Sequence, residues 1–216
     1  MKKIIISIEN SSFLLSICIN LNNKFLYIEK ITKKNSSFYI LKLINKLLLD
    51  NNINIESINA ISFGSGPGKF TNIRTICAVS KSLSIGWKIP IIKISSMKSI
   101  ALETYLKTGY KNILAAVDIG KNKIYYNIYE FKNNKIFNLV KEENIEVEKV
   151  NFLNNKIICV GDGCINYKDI LVFNNPKINL NKKIIFPKSI YNNLIARENF
   201  NKNKFDNLYN SLPTYL

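Results

Sequence analysis

A glycine-rich loop at residues 64–71 carries the residue types in this chain best suited to chemistry. Three glycines within five positions let the backbone turn tightly and approach another group closely, and Pro67 stiffens the middle of the loop. A helix is predicted to follow, and the free amides at a helix N-terminus favour an anion. The spacing does not fit a phosphate-binding P-loop, because Phe70 follows the lysine and no glycine stands five positions before Gly68. The loop is therefore either a structural turn or a contact surface with Thr71 and Arg74 exposed.

Two acidic turns are the other candidates for chemistry. Glu9 and Asn10 end the first apolar run, and Asp118 stands two residues before Gly120 in the second half of the chain. A carboxylate beside a glycine turn is suited to holding Mg²⁺ near a phosphate. The first turn lacks a glycine that would let backbone amides wrap a phosphate. An ATP-dependent phosphotransferase is therefore kept as an alternative function, with these four residues near the nucleotide.

The composition excludes several site classes at once. The 216-residue chain contains no histidine, which removes His-dependent zinc sites, Ser-His-Asp triads and Cys-His dyads. Its four cysteines form no C-x-x-C pair. No secretory signal and no apolar run of about 18 residues is found, so we expect a cytoplasmic protein with reduced, mostly buried thiols.

The net charge of +16 has two interpretations. The chain contains 37 Ile, 33 Asn and 29 Lys but only two arginines, Arg74 and Arg197. A/T-rich codons produce this excess, which favours compositional drift in an AT-rich bacterial genome. A real surface for a polyanion is the other interpretation, and a basic nucleic-acid-binding protein is a further alternative function, although the lysines are spread along the chain.

Short apolar runs and turn residues predict an α/β chain. The first half is predicted to contain strands at residues 3–8, 13–20, 24–31, 58–63 and 89–94, and helices at 36–50, 72–86 and 96–107. The second half is predicted to contain strands at residues 112–117, 123–131, 135–140, 156–160 and 183–186, and a helix at 188–202. Both halves open with an apolar strand, an acidic turn and a hairpin, which indicates duplicated lobes, 1–108 and 109–216.

The predicted helix at residues 36–50 is apolar around roughly 200° of its circumference, whereas an ordinary surface helix needs little more than ~100°. Two interpretations stay open. Either the helix is enclosed within its own lobe, or one face packs on the sheet and another on a partner subunit.

The segment from Ser62 to Arg74 resembles the G-x-GPG-S-F-T-G-x-R signature of the bacterial TsaB (YeaZ) family. Further segments match that family in order, at residues 4–10, 89–96, 114–126, 160–163 and 213–216. The chain departs from the family pattern where Glu9-Asn10 replaces Asp-Thr, where Ser36 replaces a common His, and where Lys69 replaces Ser. Gly120 and Lys123 replace an Arg and a Glu of the second hairpin.

The resemblance implies an actin/Hsp70-like (ASKHA) fold of two ribonuclease-H-like lobes and a non-catalytic scaffold role. Members of this family pair with the catalytic subunit TsaD, and the ATPase TsaE joins the pair. The assembly transfers a threonylcarbamoyl group to N6 of the adenosine beside the anticodon in tRNAs that read codons starting with A. The chain would then need no cofactor or metal of its own and would meet tRNA, ATP or ADP and Mg²⁺ only in the complex. The sequence does not decide whether the chain alone pairs with a second copy as a homodimer.

We predict two functional surfaces, one from the signature and one from the apolar and small residues of two helices. The signature loop comprises Gly64, Gly66, Pro67, Gly68, Phe70, Thr71 and Arg74. The partner interface is expected on the helix at 36–50 and on the helix after the loop, whose small residues permit close approach. The residues expected to face the partner are Tyr39, Ile40, Leu43, Ile44, Leu47, Ile73, Ile76, Cys77, Ser80 and Ser84.

Overall fold

The computed structural model describes residues 3–22, 24–32, 37–133, 135–150, 156–181, 183 and 185–214. Contacts divide the chain into two compact units. The first unit combines Met1–Ser99 with Pro187–Tyr215, and the second comprises Ile100–Phe186. This division differs from the expected lobes 1–108 and 109–216, because the last helix packs against the sheet of the first unit.

The first unit is built on a five-stranded sheet. Its strands are β1 (Ile4–Glu9), β2 (Leu14–Leu21), β3 (Lys24–Ile31), β4 (Ile58–Gly64) and β5 (Ile91–Ile94), in the order β3-β2-β1-β4-β5. The first three strands are antiparallel, and β4 and β5 run parallel to β1. Asn22 adopts a left-handed conformation (φ 48°) at the turn between β2 and β3, and Asn23 lies outside the described residues.

Two helices cover one face of this sheet. They are α1 (Ser37–Asp50) and α2 (Phe70–Trp87), and a single 3₁₀ turn (Ile55–Ser57) leads into β4. Ser36, where this helix is predicted to begin, lies outside the described residues. The helix α2 begins two residues before the predicted start and ends at Lys88, whose left-handed conformation (φ 54°) closes it, rather than at Gly86. The apolar core of this unit lies between the two helices and the sheet.

The last helix, α6 (Ser189–Asn201), covers the opposite face of the same sheet and runs antiparallel to β1. Buried hydrogen bonds hold it there. The Asn193 side-chain amide donates to the Ile5 carbonyl (2.8 Å) and to the Ser7 hydroxyl (3.0 Å). The hydroxyls of Ser16 and Ser189 lie 2.7 Å apart. This face of the sheet is therefore joined to its helix largely through polar groups, whereas the α1–α2 face is joined through apolar ones.

The second unit repeats the strand arrangement of the first. Its strands are β6 (Asn112–Gly120), β7 (Lys123–Lys132), β8 (Lys135–Asn138), β9 (Glu143–Glu146), β10 (Ile158–Val160) and β11 (Asn179–Leu180). The strands lie in the order β11-β10-β6-β7-β8, and β9 also pairs with β7. The strands β6, β7 and β8 are antiparallel, whereas β10 and β11 run parallel to β6. Counted from β8 to β11, this order matches that of the first sheet. The repeated ribonuclease-H-like order confirms the predicted duplication.

The helices of the second unit differ from those of the first. The helix α3 (Ser96–Thr108) contains the boundary between the units, and α4 (Asp162–Asn166) and α5 (Lys168–Asn174) are short. The strand predicted at residues 183–186 is wrong for the described positions 183, 185 and 186, since the last strand lies at Asn179–Leu180 instead. Among the described residues, no helix is long and apolar enough to cross a membrane.

The cysteines correct one expectation. Cys159 at β10 and Cys164 on α4 form a disulfide with Cα atoms 5.8 Å apart, so the prediction of four reduced thiols is wrong for this pair. Cys18 and Cys77 are free and buried, as expected. Burial raises the pKa of the Cys18 thiol to about 12.

Candidate functional site

The glycine-rich loop lies between β4 and α2, and its backbone groups are bound within the first unit. The Ser65 amide donates to the Ile94 carbonyl (2.8 Å), and the Lys69 amide donates to the Ser11 carbonyl (2.7 Å). The Gly66 amide donates to the Ser96 hydroxyl (3.3 Å), while the Gly66 carbonyl accepts from the Ser96 amide (2.8 Å). Since these amides are already paired, the loop serves as a structural turn rather than a phosphate cradle.

The segment at residues 205–214 forms hydrogen bonds with the same loop and with α2. Its Thr214 amide donates to the Ser65 carbonyl (2.7 Å), and the Cys77 thiol on α2 donates to the Ser211 carbonyl (3.2 Å). Gly66 has φ +93°, and a Cβ there would lie 3.0 Å from the Thr214 carbonyl oxygen. The segment also pairs with β5, because the Asp206 carboxylate accepts the Lys93 amide at 2.6 Å.

Glu9 ends β1 beside Gly64 and is fully buried. One carboxylate oxygen accepts the Ser11 amide (2.8 Å). The other accepts the Ser96 hydroxyl (3.0 Å) and the Asn192 side-chain amide (2.9 Å). A Cβ at Gly64 would collide with this carboxylate, so only glycine fits there. Both oxygens of Glu9 therefore bind groups of the chain itself. Its neighbour Asn10 is likewise buried.

The end of the signature loop behaves differently from its glycines. Pro67 is buried and Gly68 is half-buried, but Phe70, Thr71 and Arg74 are exposed on the first turn of α2. The Arg74 guanidinium lies over the Phe70 ring, 3.7 Å from its centroid. The glycines and Pro67 thus form a structural turn, whereas the residues that follow are exposed. Each of the two interpretations of the loop therefore applies to one part of the motif.

The residues expected to face a partner are mostly core residues. Tyr39 and Leu43 are half-buried, and the other eight are buried by the chain's own first unit. The prediction that these side chains form a contact surface is therefore corrected: they lie on the faces of α1 and α2 that pack on the sheet. The eight buried residues are Ile40, Ile44, Leu47, Ile73, Ile76, Cys77, Ser80 and Ser84.

The surplus apolar surface of α1 lies on its other side. Phe38, Leu41 and Leu49 are 61%, 55% and 68% exposed, and they recur at helical spacing along one stripe. The Lys42 ammonium lies 3.9 Å from the centroid of the Phe38 ring. The helix is therefore not enclosed by its own unit, and three large apolar side chains stay on its outer face.

The outer face of α2 complements this stripe. Thr71, Arg74, Ala78, Ser82 and Ile85 are exposed at spacings of three and four residues. The side chains in the middle are small, and α2 packs beside α1 on the same sheet. We call these two outer stripes the two-helix surface. On this surface, α1 provides exposed apolar side chains and α2 provides small ones. A helix of another chain could therefore pack closely against it.

The acidic turn of the second unit lies at the β6–β7 hairpin. The Asp118 carboxylate accepts hydrogen bonds from the Asn166 amide (2.7 Å), the Tyr167 hydroxyl (3.0 Å) and the Gly120 amide (2.8 Å). Burial raises the pKa of Asp118, but these three hydrogen bonds outweigh it, so the pKa lies below its usual value. Gly120 is exposed with φ +79°. Within the described ranges, no three His, Cys, Asp or Glu side chains come together as a metal site.

Sequence reasoning missed the contributions of α6 and of residues 205–214 to the loop. Asn192 reaches Glu9 across 183 positions of sequence, and Thr214 reaches Ser65 across a similar distance. The chain contains 33 asparagines, so an asparagine on a predicted helix gives no signal of its own. The match of residues 213–216 to the closing segment of a family was the one available signal.

Comparison with known proteins gives consistent results. The family model described as TsaD: tRNA N6-adenosine threonylcarbamoyltransferase matches residues 28–215. The tRNA threonylcarbamoyladenosine biosynthesis protein TsaB of Buchnera aphidicola subsp. Schizaphis graminum is 33% identical over 196 residues, which cover 88% of this chain and 90% of that protein. The TsaB protein of Escherichia coli K12 is 27% identical over 136 residues, covering 61% and 59% of the two chains.

Solved structures show the same fold. A Pseudomonas aeruginosa protein described as similar to the peptidase YEAZ superposes with a TM-score of 0.90 at 19% identity, and YeaZ from Pseudomonas aeruginosa with 0.88 at 18%. Each comparison covers all of both chains.

Proposed function

Because the chain belongs to the TsaB (YeaZ) family, we propose that it acts in tRNA threonylcarbamoyladenosine biosynthesis as a scaffold subunit for a TsaD-like enzyme. The TsaD-like partner would carry the transfer of the threonylcarbamoyl group to the tRNA adenosine. A TsaE-like ATPase would join the pair, and any ATP or ADP with Mg²⁺ would bind in the assembled complex.

The two-helix surface is the observation that carries this proposal. It exposes Phe38, Leu41 and Leu49 on a helix that is otherwise packed on its own sheet. Exposed apolar stripes of this kind are typical of protein–protein contact sites. The small residues of α2 beside the stripe would let a partner helix approach closely. The same surface would pair two copies of the chain when no partner is present.

The glycine-rich loop supports the scaffold role through the position of α2. Its paired amides, together with Glu9 and Thr214, hold the first turn of α2 against the sheet. That turn presents Phe70, Thr71 and Arg74 at the end of the two-helix surface. In this arrangement the loop provides rigid support for the contact helix, which accounts for its three glycines without a bound phosphate.

Co-expression with the TsaD-like protein of the same genome tests the proposal. Leu41→Asp places a charge in the centre of the exposed stripe, where a buried charge weakens binding by at least ~2 kcal/mol, or about 30-fold. We expect the variant to fold, since Leu41 is 55% exposed, and to lose co-purification with the partner and tRNA modification in a reconstituted assay. Sizing of the chain alone would report whether a homodimer is lost as well.

Phe173→Asp is the matched control. Phe173 lies on α5 of the second unit and is 86% exposed, so the substitution makes the same kind of change in a unit that does not contain the two-helix surface. The control should retain the partner. The proposal is contradicted if the Leu41→Asp chain stays paired, or if tRNA modification proceeds at full rate without this chain.

A further inference from the structure

The positive charge of the chain is unevenly divided between the two units. The first unit carries 18 lysines and arginines against 6 acids, and the second carries 13 against 9. The first unit therefore holds +12 of the total +16. Lysine and arginine are about equally frequent in the two units, as drift towards A/T-rich codons would produce, so the excess charge of the first unit comes from its few acidic residues. The position of its exposed cations then decides whether they could form a binding site.

Several of these cations lie together at the end of the first sheet where β1 begins. The helix α6 runs antiparallel to β1, because Asn192 near its start reaches Glu9 and Phe200 near its end reaches Lys3. Its last turn therefore lies where β1 begins. Asn20 on β2 ties the strands together there, since its side chain donates to the Lys3 carbonyl (2.7 Å) and accepts the Ile5 amide (2.8 Å). Phe25 lies opposite Asn20 in the β2–β3 register.

Cations and aromatic rings alternate along this edge. The Lys3 ammonium lies 4.3 Å from the centroid of the Phe200 ring, and the Arg197 guanidinium lies 5.8 Å from that of Phe25. Phe205 meets Phe200 edge-on, with centroids 5.3 Å apart, and is 42% exposed. We call this set the basic-aromatic edge: Lys3, Phe25, Arg197, Phe200, Lys202, Lys204 and Phe205.

Acidic residues offset little of this charge. Glu198 binds Lys202, and Glu56 lies in the turn before β4. The Asp206 carboxylate accepts a backbone amide of β5. Lys3, Lys202 and Lys204 are all exposed. The edge therefore presents several cations to solvent beside an aromatic ring.

We propose that the basic-aromatic edge binds an unpaired stretch of tRNA, with the lysines at phosphates and Phe205 stacked on a base. The proposal rests on the function proposed above, which makes tRNA the substrate of the assembly. Lysines neutralise phosphates irrespective of sequence, and aromatic rings stack on unpaired bases, a combination typical of single-stranded nucleic-acid binding. An acidic protein could form ion pairs with the lysines, but it has no bases to stack on the aromatic rings.

The position of the edge is compatible with the scaffold role. Residues of α6 meet Ser7 and Glu9, whereas α1 and α2 pack on Ile6 and Ile8, and successive residues of a strand point to opposite faces. The basic-aromatic edge and the two-helix surface thus belong to opposite sides of one sheet. A tRNA on the edge and a partner protein on α1 and α2 can be bound at the same time.

Fluorescence anisotropy with an unmodified tRNA transcript tests this inference, using the full chain with and without the TsaD-like partner. The triple variant Lys3→Gln, Lys202→Gln, Lys204→Gln removes three phosphate contacts. At about 150 mM KCl we expect its tRNA affinity to fall about 50-fold and the slope of log K against log salt to shrink by about two. The matched control, Lys141→Gln, Lys168→Gln, Lys177→Gln, removes the same charge from exposed positions of the second unit and should stay within about threefold of wild type.

Phe205→Ala tests the stacked base separately. We expect about a tenfold loss of affinity for tRNA and no change for heparin, a polyanion without bases. An equal effect on both polymers, or on neither, would overturn the base contact. Melting temperatures of all variants would show that they are folded.

The remaining outcomes separate the two proposals. Equal losses in the two triple variants, or wild-type affinity in the first, would overturn the edge while leaving the scaffold role intact. Loss of the TsaD-like partner instead of tRNA would make the edge a protein contact and would also overturn the inference. If the wild-type chain binds tRNA through the edge but never pairs with the TsaD-like protein, the scaffold proposal alone fails.

Discussion

Two carboxylates with the same expected role have different surroundings in the structure. Glu9 is enclosed, and both of its oxygens accept hydrogen bonds that fix the glycine-rich loop. Asp118 lies at a surface hairpin and accepts one hydrogen bond within that turn, from the Gly120 amide, and two more from Asn166 and Tyr167. Each acid stabilises a turn at the end of a central strand. The similar placement of the two residues therefore follows from the duplicated strand order and needs no bound nucleotide.

The Asp118 turn predicts a pH-dependent stability. Since the folded chain lowers the pKa of Asp118, the ionised carboxylate stabilises the fold above its usual pKa near 3.8, and this contribution is lost as the pH falls through the lower folded value. Asp118→Asn should therefore reduce stability by about 1 kcal/mol at pH 7, discounted for partial exposure, and by progressively less towards pH 3. Urea unfolding at several pH values measures the difference.

Tyr167→Phe provides the check on this assignment. It removes one donor to Asp118 and should cause a smaller loss with the same pH dependence. The loss from the double variant should be less than the sum of the two single losses, because the residues share one interaction. A destabilisation by Asp118→Asn that is as large at pH 3 as at pH 7 would show that the carboxylate charge is not responsible.

At the scale of elements, the loop between β4 and α2 is rigid because its glycines are in tight contact. Gly64→Ala should destabilise the chain by about 3 kcal/mol, since the new Cβ would displace the buried Glu9 carboxylate from its donors. Gly86→Ala is the matched control. A Cβ at Gly86 meets nothing within 4 Å, so alanine should be neutral or stabilise α2 by up to about 1 kcal/mol. Chemical denaturation of the two variants measures both effects, and a Gly64→Ala chain as stable as wild type would contradict the contact.

The sequence predicted most of the elements that position the site. Local patterns were sufficient for the three-stranded start, for α1 and for the strand–loop–helix around residues 58–87. They could not predict which face of α1 packs on the sheet. A helical wheel gives the angles between side chains, but the side that faces the sheet depends on how β1, β2 and β3 pair. The expected partner face was therefore core, and the true outer stripe of Phe38, Leu41 and Leu49 was visible only in the fold.

At the scale of the whole molecule, the charge of +16 should weaken the fold through self-repulsion. Screening by salt reduces this repulsion. The melting temperature should therefore rise by about 3 °C between 10 and 200 mM KCl, which corresponds to about 1 kcal/mol for a chain of this size. The triple variant Lys141→Gln, Lys168→Gln, Lys177→Gln should show a smaller rise. A melting temperature that is constant with salt would contradict this prediction.

The duplication of the sheet order was predictable from the repeated strand, acidic turn and hairpin. The division of the chain was not, because residues 187–214 return to the first unit through contacts with β1, β2 and β5. Those contacts link residues about 185 positions apart, as with Asn193 and Ser7. No local pattern carries information across that distance, so a boundary placed between the halves assigned the last helix to the wrong unit.

The return of α6 affects how the protein matures during translation. The sheet of the first unit is synthesised early, yet its polar face cannot be satisfied until Asn192 and Asn193 have left the ribosome. Until then Ser7, Glu9 and the neighbouring strands are open to water and to other nascent chains. We therefore expect the first half to depend on chaperones during synthesis and to reach protease resistance only after release of the complete polypeptide.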